Sequence, residues 1–160
     1  MKQDETFIIR ALLGTKKSIY RDIEIKPSQS LQQLAAAIVQ AFDFDFDHAF
    51  GFYTGRTSAT LMRTDPRYEL FADIGEADPG VIGVEKTSVA QAFPAVGHAM
   101  TFLFDYGDEW HFNVSLKAIG TKQAKIRYPR LIATRGTAPP QYEYPDDLDD
   151  DDTPATGEAR

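Results

Sequence analysis

Residues 30–42 read Ser30-Leu31-Gln32-Gln33-Leu34-Ala35-Ala36-Ala37-Ile38-Val39-Gln40-Ala41-Phe42, and this stretch organises the rest of the chain. Ser30 is a good N-cap, because its hydroxyl accepts from an unpaired amide of the first turn. Gln33, three residues later, completes a capping-box pattern. Leu31, Leu34, Ala35, Ile38 and Phe42 fall on one helical stripe, so the predicted helix has an apolar face that must lie on a sheet. The sheet is legible on both sides of it. Residues 6–13 predict a buried strand, Gly14 with Lys16 and Lys17 a turn, and residues 18–25 a returning strand. In that second strand Ile19, Ile23 and Ile25 share one face, while Tyr20, Asp22 and Glu24 share the other. Pro27 ends it.

Beyond the helix, residues 49–54 predict a third strand, 99–106 and 109–118 two more, and 124–134 a basic one. Residues 55–87 are irregular, with strand-like pieces near 59–62 and 68–71. A short helix is expected from Thr87 or Ser88 to Pro94. The order strand, strand, helix, strand and then further strands predicts an α+β fold: a mixed sheet with a β-grasp-like start and the helix on one face. One domain is expected over residues 1–142.

The chain has 160 residues and 17.9 kDa, with 42% hydrophobic and 26% charged residues, which suits one hydrophobic core. It contains no cysteine, so disulfide, thiol and cysteine–zinc chemistry are excluded. Its apolar runs are short for a membrane span. Lys2, Asp4, Glu5 and Arg10 break up the beginning in a way a secretory leader does not, so a cytoplasmic location without membrane contact is expected. The net charge of −7 resides in residues 141–160, where eight acids face Arg160 alone. Residues 1–140 are balanced. Lys117, Lys122, Lys125, Arg127, Arg130 and Arg135 lead directly into this acidic end, which carries too little apolar surface to order itself. A disordered tail is expected over 143–160, able to solubilise the chain, to fold back over the basic strand, or to mimic a polyanion toward a basic partner.

The hairpin around Gly107 carries the most informative motif. Burial of one face favours a three-residue loop, Gly107 to Glu109. That register pairs Tyr106 with Trp110, Phe104 with Phe112, Phe102 with Val114 and Met100 with Leu116. Asp105 then faces His111 across the strands, with Asp108 and Glu109 close by. The segment Phe104-Asp105-Tyr106-Gly107-Asp108-Glu109-Trp110 resembles the Tyr-Asp-Phe-Gly-Asp-x-Trp signature of a plasmid ORF-three-like family, named after a reading frame of a root-inducing (Ri) plasmid. The resemblance extends through Asp47-His48, Phe50-x-Phe52, Val96-Gly97, Tyr128-Pro129-Arg130 and Ala138-Pro139-Pro140. It implies an α+β fold with a β-grasp-like core, a bacterial and mobile-element setting, and no established activity. Where the family often has cysteine before its Pro-Pro, this chain has none.

Other chemistry is mostly excluded. Asp43, Asp45 and Asp47 alternate with phenylalanines, but an EF-hand beginning at Asp43 would need glycine and glutamate where His48 and Thr54 stand. The three histidines, His48, His98 and His111, form no zinc-binding spacing. Nucleophile-elbow, phosphate-loop and dinucleotide motifs are missing, so no cofactor is expected. The preferred expectation is a non-catalytic module that binds a protein partner, with Asp105, Asp108, Trp110, His111 and His48 as binding residues. A second reading is a nucleic-acid accessory using Lys122, Lys125, Arg127, Tyr128, Arg130 and Arg135, with Tyr128 free to stack. A third is a metal-dependent enzyme built on Asp105 and His111, its metal unspecified.

Overall fold

The computed structural model describes residues 4–14 and 18–142. The expected Lys16–Lys17 turn and the acidic segment 143–160 lie outside the described residues. In chain order the elements are β1 (Glu5–Leu13), β2 (Tyr20–Ile25), α1 (Leu31–Ala41), β3 (Phe50–Tyr53), β4 (Arg67–Glu69), α2 (Leu70–Asp73), β5 (Ile82–Gly83), α3 (Val89–Ala92), β6 (Ala99–Phe104), β7 (Trp110–Thr121) and β8 (Arg130–Arg135). The strands form one eight-stranded mixed sheet in the order β5-β4-β3-β6-β7-β1-β2-β8. Only the short β4–β5 pairing is parallel. The fold is α+β.

The capping box on α1 is formed as the sequence predicts: Ser30 Oγ accepts from Gln33 N at 3.1 Å, and Gln33 Oε1 accepts from Ser30 N at 3.0 Å. Ser88 and Gln91 repeat the device at α3. The other end of α1 has no basic residue of its own in its last turn. Arg21, buried on β2, supplies the cation instead: its Nε donates to Ala41 O at 2.9 Å and its guanidinium lies over the Phe42 ring. A cation there satisfies orphan carbonyls and opposes the negative end of the helix dipole.

The face beneath α1 is an aromatic core. Phe50, Phe52, Phe102, Phe104 and Phe112 are at most 1% exposed, as are Ile9, Ile23, Leu34, Ile38 and Phe42. Phe102 stacks on Phe52 at 4.7 Å and lies 5.6 Å from Phe112, which in turn touches Phe42 at 4.9 Å. Burying each such ring contributes roughly 1.5–3 kcal/mol, and this is what holds helix and sheet together.

The hairpin register differs from the expected one by two residues. Phe104 pairs with Trp110, Phe102 with Phe112, Met100 with Val114 and Leu103 with His111. A shift of two keeps every side chain on its face, so the aromatic ladder still points inward, but Asp105 does not meet His111. The cause lies in Asp105 itself. It adopts φ 68°, and its Oδ1 accepts from Gly107 N at 3.0 Å and Asp108 N at 3.3 Å. This aspartate turn, closed by Glu109 at φ 57°, makes the loop five residues long. Asp105 is therefore buried, at 6% exposure, rather than presented to water.

Three further expectations are corrected. Residues 59–62 are turn, held by Thr57–Thr60 hydrogen bonds, not strand. The piece at 68–71 divides into β4 and the start of α2. The basic strand begins only at Arg130, because 124–129 is a turn ending in the Tyr128–Pro129 cis peptide.

Candidate functional site

Three places concentrate chemistry, and each is assembled from distant parts of the chain. The first is a groove of about 430 Å³ between α1 and β8. The small side chains Ala36, Ala37 and Ala41 let the helix recede, Ile23 and Leu131 supply further apolar wall, and Arg127 stands at its mouth. β8 is an edge strand, paired with β2 on one side only among the described residues. Leu131 and Ile132 on it are 48% and 41% exposed. A bulge between Asp22 and Ile23 in the β2–β8 pairing leaves Ile132 opposite no residue of β2. Lys122, Lys125, Arg127 and Arg135 are exposed, and their side chains have no hydrogen-bond or ion partner among the described residues.

The remaining members of the basic set are engaged internally. Tyr128 is 8% exposed; its hydroxyl accepts from Gln123 N and its carbonyl from Gln29 Nε2, which corrects the expectation of a ring free to stack on bases. Arg130 donates to Glu24 Oε1 at 2.8 Å. Glu24 also accepts from Thr6 Oγ1 at 2.6 Å, so this arginine holds a buried carboxylate on the face away from α1.

The second place gathers part of the predicted binding set. His48 Nε2 lies 2.7 Å from the Tyr142 hydroxyl, 3.5 Å from Asp105 Oδ2 and 3.6 Å from Asp47 Oδ1. Tyr142 also donates to Asp47 Oδ2 at 2.9 Å, while Gln141 bridges the backbone of Asp45. Residues 141–142 are thereby strapped across the loop that leaves α1. Desolvation, then the bond to Asp47 and the charges of Asp105 and Asp108, push the Tyr142 phenol up to about 12. His48, Asp105 and Asp108 thus belong to one neighbourhood. His111 and Trp110 do not join it: His111 turns to the far face of the sheet, with Glu109 3.7 Å away, and Trp110 packs on Phe44 at 4.7 Å. The Trp110 Nε1–H is buried without a protein acceptor among the described residues. No three histidine, aspartate or glutamate side chains among the described residues are arranged to hold a metal ion.

The third place was not foreseen. Tyr53 donates to Glu69 Oε2 at 2.5 Å and its hydroxyl is 2.7 Å from that of Tyr106. Tyr53 and Glu69 are 0% and 8% exposed, sealed by Leu61 and Leu103 on the face away from α1. Burial raises both phenols above their ordinary range; for Tyr53 the bond to Glu69 adds to it. Gly51 makes the site possible, since a Cβ there would fall 2.7 Å from the Tyr53 hydroxyl oxygen. The local pattern Gly51-Phe52-Tyr53 carries the only sequence signal, and it does not name Glu69 or Tyr106 as partners.

Among the described residues, one eight-stranded mixed sheet with a single long helix on one face defines an α+β protein. The chain belongs to the plasmid pRiA4b ORF-3-like protein family, whose model matches residues 7–142. It is also similar to a crystal structure of a protein of unknown function from Methanosarcina mazei Go1, with a TM-score of 0.69 and 19% identity over 88% of this chain and 75% of that one. At that identity the likeness concerns the fold. No curated protein matches the chain. No helix among the described residues is long and apolar enough to cross a membrane.

Proposed function

We propose that this protein is a binding module that takes an extended, acidic protein segment along the free edge of β8 and into the groove beside α1. The observation that carries the reading is the juxtaposition of a strand edge unpaired among the described residues, a groove beside it, and two exposed cations, Arg127 lining the groove and Arg135 on β8, with no side-chain partner among the described residues. An edge strand offers main-chain donors and acceptors to an added strand, and neighbouring pockets select its side chains. Exposed cations beside the edge favour carboxylates on the incoming strand and speed its encounter. Acids need only flank the apolar positions, because Ala36, Ala37, Ala41, Ile23 and Leu131 share the lining of the groove with Gln33, Gln40, Arg127 and Arg130. The expected nucleic-acid reading is less well supported, since Tyr128 offers no ring and Arg130 is committed to Glu24. The expected enzyme on Asp105 and His111 has no support, because the two side chains are directed into different neighbourhoods.

The test is an NMR titration of the full chain with a peptide of alternating aspartate and valine, and in parallel with a single-stranded oligonucleotide. The reading expects peptide-induced shifts confined to β8 and the facing residues of α1, weakened at least about tenfold by Arg127→Glu with Arg135→Glu. Saturable shifts with the oligonucleotide alone would replace this reading with the nucleic-acid one.

A further inference from the structure

The face of the sheet away from α1 holds a second, smaller cleft of about 200 Å³, lined by Gly14, Arg56, Thr101, His111, Phe112 and Asn113. Its walls come from four parts of the chain. Thr101 on β6 and Asn113 on β7 are cross-strand neighbours, and His111 lies two residues from Asn113 on the same face. Arg56 reaches in from the loop after β3, and Gly14 closes the end of β1, where its amide donates to His111 O at 2.8 Å. The polar side chains here have a common character. Guanidinium, hydroxyl, imidazole and carboxamide can all donate, and among the described residues no carboxylate lines the cleft. The nearest acid is Glu109, 65% exposed, whose carboxylate is 3.7 Å from His111 Nε2.

Three of the four donors are also idle. Among the described residues the Arg56 guanidinium, the Thr101 hydroxyl and the Asn113 amide make no side-chain hydrogen bond or ion pair. Thr101 is only 7% exposed, yet its hydroxyl is among the atoms that reach solvent, so it is available from the cleft. Four donor side chains around one cleft, one of them a permanent fork-shaped cation, suit an oxyanion with several acceptor oxygens.

We propose that this cleft binds the phosphate group of a small molecule. Phosphate is favoured over carboxylate because its oxygens are distributed tetrahedrally and can meet donors from both strands and from Arg56 at once. A carboxylate has only two oxygens, in one plane, so it can meet the guanidinium and fewer of the remaining donors. The cleft is independent of the β8 groove, which lies on the other side of the sheet, so either site can fail without the other.

Inorganic phosphate and acetate, titrated separately into the full chain and followed through the Asn113 side-chain amide and the His111 ring signals, test this directly. The expected result is saturable shifts with phosphate and at least tenfold weaker binding of acetate. Arg56→Gln, an exposed loop substitution, should weaken phosphate at least about tenfold while leaving the rest of the spectrum in place. Thr101→Val removes a second donor at nearly constant volume and should weaken it further. No saturable phosphate shift at about 20 mM would overturn the proposal, a concentration far above the Kd of a useful site. Equal affinity for acetate, or phosphate binding undiminished in Arg56→Gln, would overturn it as well.

Discussion

The two faces of the sheet are built on different principles. Beneath α1 the surface is an almost uninterrupted field of aromatic and branched side chains, and the helix is held by area. On the opposite face, beside the small Leu61–Leu103 cluster, several buried groups are polar and held by partners. Arg10 grips Asp22 through two bonds of 2.8 and 2.9 Å, Arg130 and Thr6 hold Glu24, and Tyr53 and Tyr106 gather at Glu69. The carboxylates of Asp22 and Glu24 are 5% and 6% exposed, so neither could remain there unpaired. Area is tolerant of which apolar residue supplies it, whereas a buried polar partner is not replaceable. The second face is consequently where a particular ligand or proton state can be specified.

The contrast can be broken first on the apolar side. Phe102→Ala removes a ring at 0% exposure from the centre of the core and is expected to cost about 3–5 kcal/mol, read as a loss in urea midpoint at constant slope. A loss below about 1 kcal/mol would mean the core collapses around the gap and is not a fixed frame.

The polar side is probed by Tyr53→Phe. Deleting one oxygen leaves Glu69 and the Tyr106 hydroxyl short of a partner in a sealed place, with an expected cost of about 1–3 kcal/mol. It should also change the pH response. Both phenols are raised above the ordinary value of 10.0, so the folded state favours their neutral form. That contribution is complete below about pH 10 and is lost as pH rises toward the folded-state values. The native protein should lose urea resistance above pH 10, and Tyr53→Phe should show a shallower loss. Parallel curves would assign the alkaline sensitivity elsewhere.

The smallest expected effect sharpens the comparison at the helix itself. Ser30→Ala removes the cap hydroxyl that accepts from Gln33 N and should cost about 1 kcal/mol by thermal or urea unfolding. Because α1 is held mainly by area, the loss should stay well short of that from Phe102→Ala.

What was legible in the sequence follows the same division. Periodicity reports which residues share a face, so the α1 stripe, its cap and the inward aromatic ladder were all readable. Periodicity is blind to a shift of two, and the hairpin register accordingly escaped it; the deciding bond, from Gly107 N to Asp105 Oδ1, is local chemistry inside the loop. Partnerships between buried polar groups carry no periodic trace. Nothing near Tyr53 announces Glu69, and nothing near His48 announces Tyr142, which is 94 positions away. The groove beside α1 depended on knowing that β8 lies at the end of the sheet next to β2, which is a matter of strand order. The basic character of that edge was readable. The loss of Tyr128 to internal packing was not, because a tyrosine beside arginines looks the same in sequence whether its ring is buried or free.

The role of the β8 edge is tested most directly by amide hydrogen exchange of Arg130–Arg135, with and without the alternating aspartate–valine peptide in saturating amount. An added strand would pair the open edge and slow exchange within β8, while amides of β4 and β5 at the far end of the sheet keep their rates. If β8 exchanges equally fast with peptide present, or if protection falls only on β4 and β5, the edge is not where this protein receives its partner.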